Sequence, residues 1–72
     1  MNAEQMFEAL GFKQTCMNHR FIEYKRNEAV VFFNKKDKEY FCYIECKYDI
    51  SFVVSIEEHN AITKQMQELG WL

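Results

Sequence analysis

Three runs rich in β-branched and aromatic residues fill the middle of the chain, and they constrain the fold more than any other feature. The runs are Phe21 to Arg26, Ala29 to Asn34 and residues 39–47. Short polar breaks at Asn27-Glu28 and Lys36-Asp37 separate them. Such runs, joined by such breaks, are typical of antiparallel strands connected by tight turns.

The polar breaks also predict how the strands pair. A loop of two or four residues centred on Lys36-Asp37 pairs Phe33 with Tyr40, and therefore Val31 with Cys42. A two-residue turn at Asn27-Glu28 extends the same register to the first run. Because side chains alternate along a strand, this register divides the predicted sheet into two faces.

The two predicted faces differ in charge. One face carries no charge, and we expect it to form the core: Ile22, Tyr24, Ala29, Val31, Phe33, Tyr40, Cys42, Ile44 and Cys46. The other face has an aromatic centre and charged residues around it: Phe21, Glu23, Lys25, Val30, Phe32, Phe41, Tyr43, Glu45 and Lys47. The purpose of this mixed face is the main question that the sequence poses.

Two amphipathic helices flank the strands. Asn2 with Gln5 resembles a capping box, and Ser55 with Glu58 is a clear one. Apolar residues at helical spacing predict one buried stripe on each helix. The first stripe is Ala3, Met6, Phe7 and Leu10; the second is Ile56, Ile62, Met66 and Leu69, with His59 and Ala61 nearby and His59 partly buried.

Both helices are predicted to end with the same cap. Gly11 follows Leu10 and precedes Phe12, while Gly70 follows Leu69 and precedes Trp71. Glycine adopts the left-handed conformation just past a helix without steric cost, and the next apolar residue folds back on the last turn. We therefore expect Phe12 to pack against Phe7, and Trp71 to pack against Met66.

These elements predict one α+β domain over residues 1–72. An N-terminal helix precedes an antiparallel meander of three to five strands, and a C-terminal helix packs on the sheet. The optional strands are residues 12–17, before the first run, and residues 50–54, after the third. A chain of 72 residues has no room for a second domain.

Charge and hydropathy predict a cytoplasmic protein with no membrane segment. The N-terminus has neither the basic residues nor the apolar run of a secretory signal, and no apolar run approaches the ~20 residues of a membrane span.

The net charge is −2, and it is unevenly distributed along the chain. Residues 12–48 hold eight Lys/Arg and five Asp/Glu, while the two ends hold one Lys and six Asp/Glu.

Parts of the sequence resemble small uncharacterised phage- and prophage-encoded proteins of Gram-positive bacteria. The resemblance rests on Phe7-Glu8-Ala9-Leu10-Gly11-Phe12, on the strand pair around residues 33–40, and above all on the ending, residues 57–71, which closes with Glu68-Leu69-Gly70-Trp71. It implies an α-β-meander-α fold and an origin in a mobile element. It implies no catalytic or binding residues.

The cysteines and histidines predict neither a metal site nor an enzyme. Cys16 and His19 have the spacing of half a zinc site, but Cys42 and Cys46 fall within a predicted strand, where their sulfurs would not converge. The odd number of cysteines predicts buried free thiols. No nucleophile motif or glycine-rich loop is present, so we predict no cofactor and no small-molecule substrate.

Three interpretations of the mixed face remain open. A helix of the same chain could cover it, a protein partner or a second copy could bind it, or single-stranded nucleic acid could stack on it. The second predicts a non-enzymatic interaction module, and Glu23 and Glu45 argue against the third. The surface consists of Phe32, Phe41 and Tyr43, with Lys25, Arg26 and Lys47 at its rim. Residues 35–38 are interpreted as a solvated hairpin tip.

Overall fold

The computed structural model describes residues 1–47 and 52–72 and confirms the predicted α+β architecture. Within those residues, none of the helices is long and apolar enough to cross a membrane. The elements are α1 Ala3–Ala9, β1 Lys13–Met17, β2 Phe21–Arg26, β3 Ala29–Asn34, β4 Glu39–Ile44 and α2 Ile56–Glu68. The strands form one antiparallel sheet in the order β1-β2-β3-β4.

The predicted register is confirmed. Phe33 pairs with Tyr40 and Val31 with Cys42, which makes the loop between β3 and β4 four residues long. The turn between β2 and β3 has two residues, and Asn27 adopts a left-handed φ of 54° there, which asparagine tolerates better than most residues.

The ends of the sheet differ in part from the prediction. The optional strand before β2 is present as β1, and a bulge between Gln14 and Cys16 interrupts its pairing. Strand β4 ends at Ile44 rather than at residue 47, because a turn with a left-handed Cys46 follows it. Of the optional strand over residues 50–54, the first two lie outside the described residues, and residues 52–54 are not in a strand.

Both helix ends have the predicted cap. Phe12 donates its N–H to the Phe7 carbonyl at 3.0 Å, and Trp71 donates to the Met66 carbonyl at 2.9 Å. Gly11 and Gly70 supply the left-handed residue that this geometry needs. The ring of Phe12 contacts that of Phe7 edge-on, as predicted. The capping boxes are also present, with the Asn2 and Ser55 side chains accepting from the third residue of each helix.

The helices run antiparallel on the same face of the sheet. The Arg26 guanidinium donates to the Leu10 carbonyl at the end of α1 and to Glu58 at the start of α2. At the other end, the Ala3 N–H donates to Glu68. We call this side of the sheet the helix face; the buried cluster beneath the helices is Phe7, Phe12, Ile22, Tyr24, Val31, Phe33, Ala61 and Ile62.

The helix face is not free of charge, which corrects the prediction. Arg26 belongs to this face and not to the rim of the opposite one. It follows Lys25 in β2, and consecutive residues of a strand point to opposite faces. It lies 4.4 Å from the Phe12 ring and bonds to Glu58 at 2.7 Å. Two residues expected in the core are exposed: Tyr40 lies on edge strand β4 and Cys46 in the turn after it.

Helix α2 buries a stripe that differs in part from the predicted one. Ile62 is buried, and Met66 and Leu69 pack against the core, as predicted. Ile56 is 66% exposed and His59 is exposed, whereas Glu58 and Gln65 are buried with Ala61 and Ile62. The buried polar residues have partners, because Gln65 accepts a 2.6 Å hydrogen bond from the Tyr24 hydroxyl. Burial raises the pKa of that hydroxyl, so it remains a protonated donor. Apolar spacing alone does not reveal such paired polar residues.

Candidate functional site

The sheet face opposite the helices is the candidate site, and we call it the open face. Its residues alternate with those of the helix face along β2, β3 and β4: Phe21, Glu23, Lys25, Val30, Phe32, Phe41 and Tyr43. Both helices contribute their buried residues to the cluster on the opposite side. Within the part of the chain that the structure describes, no helix covers the open face.

A row of three aromatic rings crosses the open face, and we call it the aromatic diagonal: Phe21, Phe32 and Phe41. The ring centroids of Phe21 and Phe32 are 5.0 Å apart, and those of Phe32 and Phe41 are 6.4 Å apart. Phe41 is the most accessible of the three, with 48% of its surface exposed. Phe32 and Phe21 are half-buried. The diagonal therefore presents a continuous apolar strip on three adjacent strands.

Val30 lies on the open face between Lys25 on β2 and Tyr43 on β4, with which it pairs. It is 1% exposed, and among the described strand residues it is the only fully buried side chain of this face. The Lys25 amine lies 2.5 Å from a carboxylate oxygen of Glu45, so this ion pair spans β3. Its hydrogen bond to Glu45 raises the pKa of Lys25. Lys25 is thus engaged within the chain.

Lys47, also predicted at the rim, and the carboxylate of Glu23 both differ from Lys25 in their contacts. Lys47 is exposed and lies beyond β4, where its N–H donates to the Ile44 carbonyl across a tight turn. Glu23 accepts a 2.7 Å hydrogen bond from the Thr15 hydroxyl on neighbouring β1. The acidic groups on the open face are therefore held by partners of their own sheet.

A cluster of cations lies at one end of the open face, and the sequence interpretation missed it. The turn over residues 18–20 meets the turn over residues 35–38: the Lys35 N–H donates to the Arg20 carbonyl, and its amine donates to the Asn18 carbonyl at 2.7 Å. We call these two turns the basic end. They hold Arg20, Lys35, Lys36 and Lys38 against one acid, Asp37. An up-and-down meander places its first and third turns at the same end, and that signal was present in the sequence.

The basic end is continuous with the aromatic diagonal. The Arg20 guanidinium lies 5.9 Å from the ring centroid of Phe21, the first ring of the diagonal, within the range of a cation–π contact. Asn34, at the end of β3, accepts from the backbone of Lys36 and donates to the Asp37 carboxylate. The hairpin tip is therefore ordered by its own hydrogen bonds.

The cysteines and histidines do not assemble into a site. Cys16 and Cys42 are half-buried and Cys46 is exposed, which corrects the expectation of three buried thiols. Burial raises the pKa of the Cys42 thiol to about 11, so it is a weak nucleophile at neutral pH. Among residues 1–47 and 52–72, no three His, Cys, Asp or Glu side chains are grouped so as to hold a metal ion.

A shallow depression lies between the two helices. Its volume is about 180 Å³, and it is lined by Met1, Met6, Ala9, Leu10, Glu57 and Asn60. Pockets that enclose drug-sized ligands typically measure ~300–1,000 Å³. Its lining is mainly apolar and offers few groups to orient a substrate.

No family model, curated protein or solved structure matches this chain. Its function is therefore inferred from the geometry of the open face.

Proposed function

We propose that this protein is a small, non-enzymatic interaction module that binds a protein partner through the open face of its sheet. The observation that carries the proposal is the aromatic diagonal, which crosses a face that neither helix covers and ends in Phe41, 48% exposed. The resemblance to phage- and prophage-encoded proteins supports an accessory role in a mobile element.

Two general properties of protein interfaces favour this interpretation of the open face. Contiguous apolar surface with a polar rim marks interaction sites on soluble proteins, and aromatic residues are enriched at interface centres. The diagonal supplies the apolar centre, while the Lys25–Glu45 ion pair supplies part of the rim. Polar groups on the face are engaged with each other and not arranged around a nucleophile, which supports a binding role over a catalytic one.

Phe41 and Tyr40 offer a matched pair of variants. They are consecutive, they have similar exposures of 48% and 42%, and they point to opposite faces of β4. Peptides of about twelve residues, selected from a random displayed library on the immobilised protein, would serve as probes. We expect Phe41→Ser to weaken their binding about tenfold or more, and Tyr40→Ser to leave it nearly unchanged.

Folding and self-association are controlled in the same experiment. Far-UV circular dichroism and thermal unfolding establish that both variants fold, and sedimentation velocity reports whether the wild type pairs with itself through the same face. If folded Phe41→Ser bound every selected peptide as tightly as the wild type and left the sedimentation unchanged, the open face would not be the interaction site.

Single-stranded nucleic acid is a second candidate, favoured by the Arg20 guanidinium over Phe21 beside the basic end. Bases stack on aromatic side chains of open sheets, and nearby cations hold phosphates. This candidate predicts that a short oligothymidylate shifts the amide NMR signals of the diagonal at low salt, with an affinity that falls steeply as salt rises. An unchanged spectrum at low salt would eliminate it.

A further inference from the structure

The helix layer and the sheet layer carry opposite net charges. The helices together carry Glu4, Glu8, Glu57, Glu58 and Glu68 against a single lysine, Lys64. The region that forms the sheet and its turns, residues 12–47, holds eight Lys/Arg and five Asp/Glu. The overall charge of −2 is therefore the sum of an acidic helix layer and a basic sheet layer. A partner that approaches the open face meets the basic layer.

Within that layer, half of the eight Lys/Arg lie at the basic end. Four cations and one acid lie in the two turns, and Asp37 accepts a hydrogen bond from Asn34. Glu39, the first residue of β4, reduces this local excess without cancelling it. On the rest of the face, Lys25 neutralises Glu45, whereas Glu23 keeps its negative charge because the Thr15 hydroxyl that donates to it is neutral.

The apolar and cationic parts form one track. The aromatic diagonal starts at Phe21, which lies under the Arg20 guanidinium, and runs across β3 to Phe41 on β4. A ligand that matches the track needs apolar side chains along the diagonal and negative charge near one end. This proposal rests on the proposed function: we propose that the partner presents an apolar segment flanked by acidic side chains, which lie against residues 18–20 and 35–38.

A nucleic acid matches this track less well than an acidic peptide does. It carries a phosphate at every nucleotide, so it would place negative charge along the whole diagonal, including the position of Glu23, which pairs with Phe32. A peptide can concentrate its acids at one end and remain neutral over the rings. The distribution of carboxylates therefore favours the peptide.

The test uses the full chain and the same library of displayed peptides. We expect the selected peptides to contain aromatic or aliphatic residues next to Asp or Glu. Lys36→Glu should weaken their binding about fivefold or more. Lys13→Glu makes the same charge change at the start of β1 and is the matched control, which we expect to have a much smaller effect. Raising salt from about 0.05 to 0.3 M should weaken binding to the wild type more than to Lys36→Glu.

The outcomes separate this inference from the proposed function. Peptides that lose affinity with Phe41→Ser, lack acidic residues and ignore Lys36→Glu would overturn the inference alone. If no selected peptide distinguished the wild type from Phe41→Ser, and the variant sedimented like the wild type, the proposed function and the inference would both fall. An oligothymidylate that bound more tightly than any peptide, sensitive to both variants, would replace the acidic peptide with nucleic acid.

Discussion

Phe32 and Phe33 are consecutive residues of β3, and they lie in opposite environments. Phe33 is fully buried on the helix face, where its ring lies 6.3 Å from that of Phe7 and 6.2 Å from that of Trp71. Phe32 is half-buried on the open face, and its ring neighbours, Phe21 and Phe41, belong to the same sheet. Composition does not distinguish the two faces, since both are rich in aromatics.

The two faces differ in which elements their polar contacts join. On the helix face, two polar contacts among the described residues join the sheet to α2: Tyr24 with Gln65, and Arg26 with Glu58. On the open face, the polar contacts join strand to strand, as Lys25 does with Glu45 and Thr15 with Glu23. The helix face therefore joins the sheet to the helices, whereas the described residues leave the open face uncovered.

The largest expected difference compares the two neighbouring phenylalanines. Phe33→Ala removes a fully buried ring and should lower the free energy of unfolding by about 3–5 kcal/mol. Phe32→Ala should lower it by about 1 kcal/mol, because its ring is already partly in water. Urea unfolding of both variants measures the two losses. Equal losses would mean that the open face is as buried as the helix face.

Glu58→Gln tests the ionic contact of the helix face. Glutamine keeps the capping box, so the change isolates the charge. Burial of Glu58 tends to raise its pKa, but the hydrogen bonds from the Ser55 backbone and from Arg26 outweigh burial and lower it. Since the Arg26 side chain is 37% exposed, we expect a loss of about 1–2 kcal/mol at neutral pH, well below that of a fully buried pair.

The pH dependence of this loss follows from the direction of the shift. A carboxyl whose pKa is lower in the folded state stabilises the fold fully above its unfolded pKa, about 4.3 for glutamate, and this contribution disappears as the pH falls through the folded pKa. The stability difference between the wild type and Glu58→Gln should be constant from about pH 6 to 8 and shrink below about pH 4. A difference that grew on acidification would contradict this assignment.

Tyr24→Phe tests the neutral polar contact of the same face. It removes the donor that bonds to Gln65 at 2.6 Å, and Gln65 is buried, so its amide oxygen would lose its partner. We expect a loss of about 1 kcal/mol in the free energy of unfolding, because a buried acceptor is left unsatisfied. Tyr24→Phe combined with Gln65→Leu should recover part of the loss, and no recovery would indicate that packing of the tyrosine ring dominates.

The smallest effect is expected on the open face. Lys25→Gln keeps much of the side-chain stem over the sheet and removes the charge that pairs with Glu45. Exposed ion pairs contribute little to stability, so the midpoint of urea unfolding should not change measurably. A clear decrease would show that this ion pair supports the sheet in the way that the Arg26–Glu58 pair supports the helices.

Local rules in the sequence predicted the hairpins and the caps. Polar breaks and alternation gave the pairing of Phe33 with Tyr40, and the repeated Leu-Gly-aromatic ending gave both helix stops. These features depend on residues close together in the chain. The placement of both helices on one face depends on contacts between distant residues, such as Arg26 with Glu58, and an amphipathic pattern does not say which surface a helix will meet.

The candidate site was predicted only in part. Phe32, Phe41 and Tyr43 lie on the open face as expected, but Lys25 is engaged by Glu45, Arg26 is on the other face, and Lys47 follows the end of β4. Strand alternation assigned Lys25 and Lys47 to this face, but it does not show which cations form ion pairs across strands and which remain available. The basic end was missed because two turns, distant in sequence, are brought together only by the meander.

Hydroxyl-radical footprinting of the aromatic side chains tests the two-faced sheet most directly. In the dilute monomer, Phe41 should react fastest, Phe32 at an intermediate rate, and Phe33 and Phe7 slowest, following their exposure. Tandem mass spectrometry separates the neighbouring residues. If Phe41 and Phe32 were as protected as Phe33 in the dilute monomer, the open face would be covered by the chain itself, and the account of this surface as a binding site would be wrong.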